Sequence, residues 1–270
     1  MKKYKYKIVS PNIYTKKYYQ IHSRGFKNIL AKIKPYIFIT KGMRILDLGS
    51  GSGDLSIYLG KHNTYVIGID YSKKAIQIAK NKLNTINPKY KKNIIFKLMD
   101  ANNLDFEENY FDYVISIDFF EHIDKRLLKN LMDKISYVLK PGGKLLVHTE
   151  PNKIYLDFTH RFYIYPVSTL LIYINYLFTK NDYSNFSKDP RNKFHKEQHV
   201  NEPNYLYLKN LFSSHIFKGK IITIVPYKPK LSWKDLLFNI VVLMYPVSSV
   251  FPLNLLFAYD YLCVMVNNKK

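Results

Sequence analysis

Between residues 42 and 150 the chain alternates short apolar runs with amphipathic stretches. Five runs, 44–48, 64–69, 93–98, 113–117 and 144–148, have the length and apolar content of buried strands. The stretch 124–139 instead places Leu127, Leu128, Leu131, Ile135 and Val138 on one helical face. A second helix is expected over 72–83, with Ser72 as its N-cap. Pro141-Gly142-Gly143 separates the longer helix from the fifth run and reads as a breaker. Strands joined by helices make right-handed crossovers, which set the loops leaving the strands along one edge of a parallel sheet. That edge is where a ligand is expected.

The flanks follow a different pattern. Residues 18–39 read as a basic helix capping the domain, and beyond residue 150 the regular alternation is lost. The stretches 162–179 and 236–259 carry no charge. By length alone the second could span a bilayer. Pro246, Pro252, Asn239, Asn254 and the Ser248-Ser249 pair interrupt it. A broken hairpin of two short helices is expected instead, packed over the core or a second copy, or lying in a membrane interface. Two further strand-like runs, 221–225 and 258–266, close the pattern.

The chemistry gathers at the ends of the strands. Gly49, Gly51 and Gly53 follow the first run directly, interleaved with Ser50 and Ser52, and the chain then opens into a helix. Glycines there let the backbone approach a ligand closely, and the helix start offers unpaired N–H groups. The spacing is G-x-G-x-G rather than the dinucleotide fingerprint G-x-G-x-x-G. Asp47 stands two residues before the first glycine; it would repel a pyrophosphate but suits a ligand bearing an ammonium group. Asp70 ends the second run and can accept from both hydroxyls of a ribose, with the Tyr71 ring beside the base. Asp100 ends the third, placed to accept from an adenine amino group, and Ala101 supplies a backbone contact.

These residues carry a resemblance. ILDLGSGSG resembles the first motif of the class I S-adenosylmethionine-dependent methyltransferases, in the small-molecule group often called type 11. VIGIDYS is similar to that family's acidic second strand, and LMDANNLDFEENYFDYVIS to its third and fourth. FEHIDKRLLKNLMDKISYVLKPGGKLLVHTEPN resembles the exit of the fourth strand, the following helix and the fifth strand. The resemblance implies a Rossmann-like α/β fold: a seven-stranded, mostly parallel sheet with helices on both faces, an antiparallel last strand over 258–266, and helical apolar insertions. The implied organisation is a basic helical cap (1–41), a cofactor-binding core (42–150), an acceptor or lid insertion (151–219), and the last two strands with an apolar insertion at 231–256 (220–270). The implied cofactor is S-adenosyl-L-methionine, held by Asp47, Gly49, Ser50, Gly51, Gly53, Asp70, Tyr71, Asp100, Ala101 and Asp118.

Methyl transfer from a sulfonium is a one-step displacement, so alignment and water exclusion carry most of the catalysis. A base is needed only for a poorly acidic hydroxyl or a protonated amine. The loop Asp118–His122 should face the methyl group, making Asp118 a catalytic candidate. His199, in a segment with His195, Asn201 and Glu202, is the first choice for a general base. No metal is expected. One alternative follows from relatives among the ubiquinone-pathway O-methyltransferases and small-RNA 2′-O-methyltransferases. In them a carboxylate-x-x-carboxylate-His run resembling Asp118, Glu121 and His122 binds a divalent cation, and His160, His195 or His199 could complete it here.

Charge changes the picture of the partner rather than of the core. The formal net charge is +22. Eleven basic and no acidic residues precede Gly42, whereas 42–150 is nearly balanced at sixteen against thirteen. From Pro151 onward the balance is fifteen against seven. The excess therefore lies in the flanks, where the apolar stretches also lie, and suggests a hydrophobic or lipid-linked acceptor reached from an anionic membrane surface. An RNA methyltransferase is the enzymatic alternative, though the basic residues are mostly scattered lysines and form no RNA-binding module. A binding scaffold without catalysis is the other. The single cysteine, Cys263, excludes an internal disulfide, and no secretory signal is read at the N-terminus. A cytoplasmic protein, peripheral at the inner membrane surface, is the resulting expectation.

Overall fold

The computed structural model describes residues 9–10, 15–180, 187–191, 193–226 and 233–270. Much of the expected basic cap before residue 15, and residues 231–232 of the expected apolar insertion, lie outside the described residues. In chain order the main elements are α1 (Lys16–Ile33), β1 (Arg44–Leu48), α2 (Asp54–Gly60), β2 (Tyr65–Asp70), α3 (Lys73–Thr85) and the short α4 (Pro88–Lys91). Then come β3 (Ile94–Leu98), β4 (Phe111–Ile117), α5 (Lys125–Val138), β5 (Leu139–Thr149) and α6 (Tyr165–Thr179). The chain closes with α7 (Lys193–Gln198), α8 (Tyr205–Ser213), β6 (Phe217–Ile224), α9 (Trp233–Leu237), α10 (Asn254–Phe257) and β7 (Asp260–Asn267).

Capping side chains start α3 and α5. Ser72 Oγ accepts from the Ala75 N–H at 3.3 Å, and an Asp124 carboxylate oxygen accepts from the Arg126 N–H at 3.0 Å. The described strands form one seven-stranded sheet in the order β3-β2-β1-β4-β5-β7-β6. The first five strands run parallel, and β7 is antiparallel to both β5 and β6. Strand alternation sorts the core into two layers. Leu46, Leu48, Val114, Leu145 and Val147 pack with Leu128, Leu131, Met132 and Ile135 of α5 and with α8. Ile45, Tyr113, Ile115, Leu146 and Leu262 pack on the other face with Leu55 and Leu59 of α2 and with α1. Burying each such side chain contributes roughly 1.5–3 kcal/mol.

Three expectations are corrected. The Pro141-Gly142-Gly143 run does not break the fifth strand: β5 pairs from Leu139, and the glycines sit in a register shift between the Phe111–Leu139 and Tyr113–Lys144 pairs. The sixth strand begins at Phe217 rather than 221, because pairing with β7 extends to Asn267 while Lys218 and Lys220 hide the apolar alternation. Such lysines are usual on an edge strand. The stretch 236–259 is broken as expected, but into more pieces: the end of α9, a π-helical turn Phe238–Val242, a 3₁₀ turn Val247–Ser249, and α10.

Among the described residues, one helix has the length and hydropathy to cross a membrane. It runs Tyr155–Thr179, as a π-helical stretch Tyr155–Ile164 leading into α6. Tyr155, Leu156 and Ile164 pack on Val242, Leu243 and Phe257, but only 11% of the apolar window is buried.

Candidate cofactor and acceptor site

The loop between β1 and α2 folds back onto β2. The N–H groups of Gly49 and Ser50 donate to the Ile69 carbonyl at 3.0 and 2.8 Å, and the Gly51 N–H donates to Asp70 Oδ2 at 3.0 Å. The other Asp70 oxygen accepts from the Ser72 N–H at 2.8 Å. Gly49 has φ +78°, and a Cβ there would stand 2.5 Å from Cδ2 of the Phe119 ring. A side chain is thus excluded where the backbone must come close to a ligand.

A cavity of about 730 Å³ opens over this loop. Asp47, Gly49, Ser50, Gly51, Asp70, Tyr71, Asp100, Ala101 and Asp118 all line it. Gly53 does not: it starts α2 in a left-handed conformation, and a Cβ there would meet Phe96 at 2.5 Å. Its part is packing, not ligand contact. Asp47 is buried and accepts from Ser56 Oγ at 2.5 Å; burial pushes its carboxyl up to about 7. Burial also raises Asp70, to about 6. Asp100 accepts from the N–H of Asn102 at 2.8 Å and caps the short turn Ala101–Asn103. Tyr71 donates its hydroxyl to the Val9 carbonyl at 3.0 Å. Ser50 Oγ is buried and makes no hydrogen bond among the described residues. Seven carboxylates and one lysine, Lys32, line the cavity, an acidic interior in a strongly basic protein. An orphan hydroxyl among carboxylates fits a cation carrying hydroxyl groups, as S-adenosylmethionine is.

The far wall is a chain of ionisable groups. Asp118 leaves β4 with φ +50° and accepts from Nδ1 of the fully buried His148 at 2.5 Å. His148 Nε2 lies 3.5 Å from Asp260 Oδ2 at the start of β7. Asp260 is ion-paired with Lys32 of α1. Burial opposes charge on His148, but Asp118 and Asp260 outweigh it and push the imidazole up to about 10. Glu150, just past β5, lines the cavity beside them; burial, then the Asp260 and Asp118 charges, raise it to about 8.

A second group gathers around the turn Phe120–His122. Ligand atoms of Glu121, His122 and His199 lie within 4.8 Å of one another. The N–H groups of Val200 and Asn201 both donate to the Glu121 carbonyl at 3.0 Å, which brings the distant His199 here. His122 Nδ1 is 3.1 Å from the Gln198 carbonyl, directing Nε2 towards Glu121. Thr149 donates to Glu121 Oε2 at 2.8 Å, and burial, then Asp118, hold the Glu121 carboxyl well above its usual range. One carboxylate and two imidazoles, oriented by a carbonyl and a hydroxyl, suit a divalent cation. Asp118 is not among them, because its carboxylate is bound to His148. His160 stands apart, with Nε2 2.8 Å from the Ser187 carbonyl, and His195 stacks on His199 at 5.2 Å.

This corrects the reading of His199 as a base facing the acceptor. Its ring packs against His122 and His195 and does not line the cavity. The sequence reading also missed Tyr18, Tyr19 and Lys32 on α1, which close the cavity from above, and Glu150 and His148. Glu150 could have been found as a carboxylate directly following the fifth strand. Nothing local marks Lys32 among so many lysines.

Residues 45–143 match the family model described as a methyltransferase domain. The match, the sheet order and the glycine loop together support a class I S-adenosylmethionine-dependent methyltransferase domain in this stretch. A ubiquinone biosynthesis O-methyltransferase from Coxiella burnetii is 34% identical over 111 residues, covering 40% of this chain and 44% of that protein. A ubiquinone/menaquinone biosynthesis C-methyltransferase from Wigglesworthia glossinidia brevipalpis is 32% identical over 147 residues, covering 53% of this chain and 57% of that protein. A phosphoethanolamine N-methyltransferase from Plasmodium falciparum is 30% identical over 126 residues, covering 46% of each chain. The chain thus spans about half the length of the curated relatives it matches. In whole-fold terms it is similar to an S-adenosylmethionine-dependent methyltransferase from Mesorhizobium loti, with TM-score 0.55 and 16% identity over 87% of this chain and 96% of that one.

Proposed function

We propose that this protein transfers the methyl group of S-adenosylmethionine to an oxygen of a small apolar or lipid-linked acceptor, reached from an anionic membrane surface. S-adenosylmethionine supplies a methyl group already activated on a sulfonium. The observation that carries the proposal is an acidic cavity whose near wall is the Asp47–Asp70–Asp100 cofactor set and whose far wall is made of ionisable groups. Asp47 suits the ammonium and Asp70 the ribose hydroxyls. Phe119 and the tyrosines of α1 exclude water from the reacting atoms. Glu121, His122 and His199 could hold a divalent cation, which would polarise an acceptor oxygen. The relatives methylate oxygen, carbon and nitrogen by name, so the far wall rather than the domain has to select the acceptor.

The exposed apolar surface supports a membrane-presented acceptor. Phe162, Phe178 and Phe251 are 64%, 85% and 74% exposed, and the Tyr155–Thr179 helix carries Arg161 and is followed by Lys180. An apolar face with basic residues beside it suits an anionic lipid interface. The acidic cavity disfavours a polyanionic acceptor such as RNA, despite the net charge. The deciding experiment incubates the protein with isotopically labelled methyl donor and separated lipid, small-molecule and RNA fractions. Label on an oxygen of an apolar molecule is expected; label confined to RNA, or no transfer at all, overturns the proposal.

A further inference from the structure

We propose that Glu150 takes the acceptor's proton during methyl transfer, with His148, Asp260 and Lys32 behind it as positioning residues. This rests on the oxygen-acceptor reading above. Three of the groups in the far wall, Asp118, Glu150 and Lys32, line the cavity, while His148 and Asp260 are buried behind it. The ligand atoms of His148, Glu150 and Asp260 all lie within 4.8 Å of one another. Within this cluster the charges pair off. Asp118 is committed to His148 Nδ1 and Asp260 to Lys32, so two carboxylates face two cations. Glu150 is the remaining carboxyl, within 4.8 Å of Asp260 and left without a cation of its own in the cluster. Burial and that acidic company raise it to about 8, which is where a base for a weakly acidic hydroxyl is most effective. Asp118, held on an imidazolium, is poorly placed to compete.

The step balances. The acceptor oxygen forms a bond to the methyl carbon as the carbon–sulfur bond breaks, the electron pair of that bond stays on sulfur, and the hydroxyl proton passes to a Glu150 carboxylate oxygen. The charged groups acting on Glu150 come from every element around it. They are Asp118 after β4, His148 on β5, Asp260 on β7 and Lys32 on α1. Glu121 of the Phe120–His122 turn and the Tyr259 hydroxyl also interact with it. His148 lowers the proton affinity of Glu150 and Asp260 raises it, so the two have opposite effects on its titration.

The test measures kcat against pH for methylation of a long-chain alkylcatechol in anionic phospholipid vesicles, with S-adenosylmethionine affinity as the check on folding. For the native protein kcat rises with pH through about 8. Glu150→Gln loses that limb and at least about 100-fold in kcat, with KM and cofactor affinity within about twofold. Glu150→Asp keeps a limb at reduced rate. His148→Gln moves the limb to higher pH by about one unit, and Asp260→Asn moves it lower. A purely structural role would not give opposite shifts. Should either neighbour variant fail to bind the cofactor, the Glu150 pair decides alone. Turnover by the native protein with an unchanged Glu150→Gln profile overturns the base assignment only. Cofactor binding without any turnover by the native protein overturns the oxygen-acceptor reading with it.

Discussion

Asp47→Asn should stabilise the ligand-free protein while abolishing cofactor binding. The carboxyl is buried and its proton affinity rises from 3.8 to about 7. At about 1.4 kcal/mol per pH unit, ionising it in the folded state costs about 4 kcal/mol relative to the unfolded chain. The sign follows from the direction: the folded state holds this proton more tightly, so stability falls as pH rises from about 4 to 7, and above 7 the full cost is present. Asparagine keeps an acceptor for Ser56 Oγ, now 2.5 Å from the carboxylate, and carries no charge. The variant's advantage should therefore be about 4 kcal/mol at pH 8 and shrink as pH drops below 7. At roughly 2–4 °C per kcal/mol, the melting temperature rises on the order of 10 °C at pH 8. Thermal unfolding with and without S-adenosylmethionine reads both halves: the native protein gains stability on adding cofactor, and the variant does not. A variant less stable than the native protein at pH 8, or one that still binds the cofactor with native affinity, would refute the role given to Asp47.

Other outcomes follow from single features. Gly53→Ala places a Cβ 2.5 Å from Phe96 in a backbone with φ +80°, and should cost about 1–3 kcal/mol in denaturant unfolding. Phe178→Asp with Phe251→Asp should weaken sedimentation with anionic vesicles at least about tenfold and leave cofactor affinity unchanged; a native protein that never sediments with vesicles speaks against membrane presentation. Mn²⁺ added to the protein should give one bound-metal signal in electron spin resonance that His122→Ala removes, and no signal at saturating Mn²⁺ would exclude the Glu121–His122–His199 site.

Most of the core was legible because its signals are local. The apolar runs, the Ser72 cap and the apolar face of 124–139 are read from neighbours a few positions apart, and they placed β1 to β4, α3 and α5 closely. The cofactor wall was legible for a related reason: in a parallel sheet, residues at successive strand ends must meet at one edge. Asp47, Asp70 and Asp100 therefore converge without any contact having to be known. Where local polarity misled, pairing decided. Lys218 and Lys220 obscure the start of β6, and only β7 reveals that they pair. Gly53 belongs to the motif by spacing, yet its backbone serves the packing of Phe96.

The acceptor wall was not legible, and the reason is distance along the chain. Lys32 and Asp260 are 228 positions apart, and their ion pair exists because α1 packs on the sheet face that carries Leu262 of β7. His148 reaches Asp260 because β5 pairs antiparallel with β7 in a register that sets His148 opposite Leu262. His199 joins Glu121 and His122 through backbone bonds to a turn almost eighty positions earlier. Such meetings depend on packing and register, which leave no periodic trace in composition or spacing. By itself, then, the sequence determined the alternation, the glycine loop and the carboxylates that hold the cofactor. The buried pairing of charges that leaves Glu150 without a cation in its cluster was decided only by the tertiary structure, because it takes four separate elements to bring those groups together.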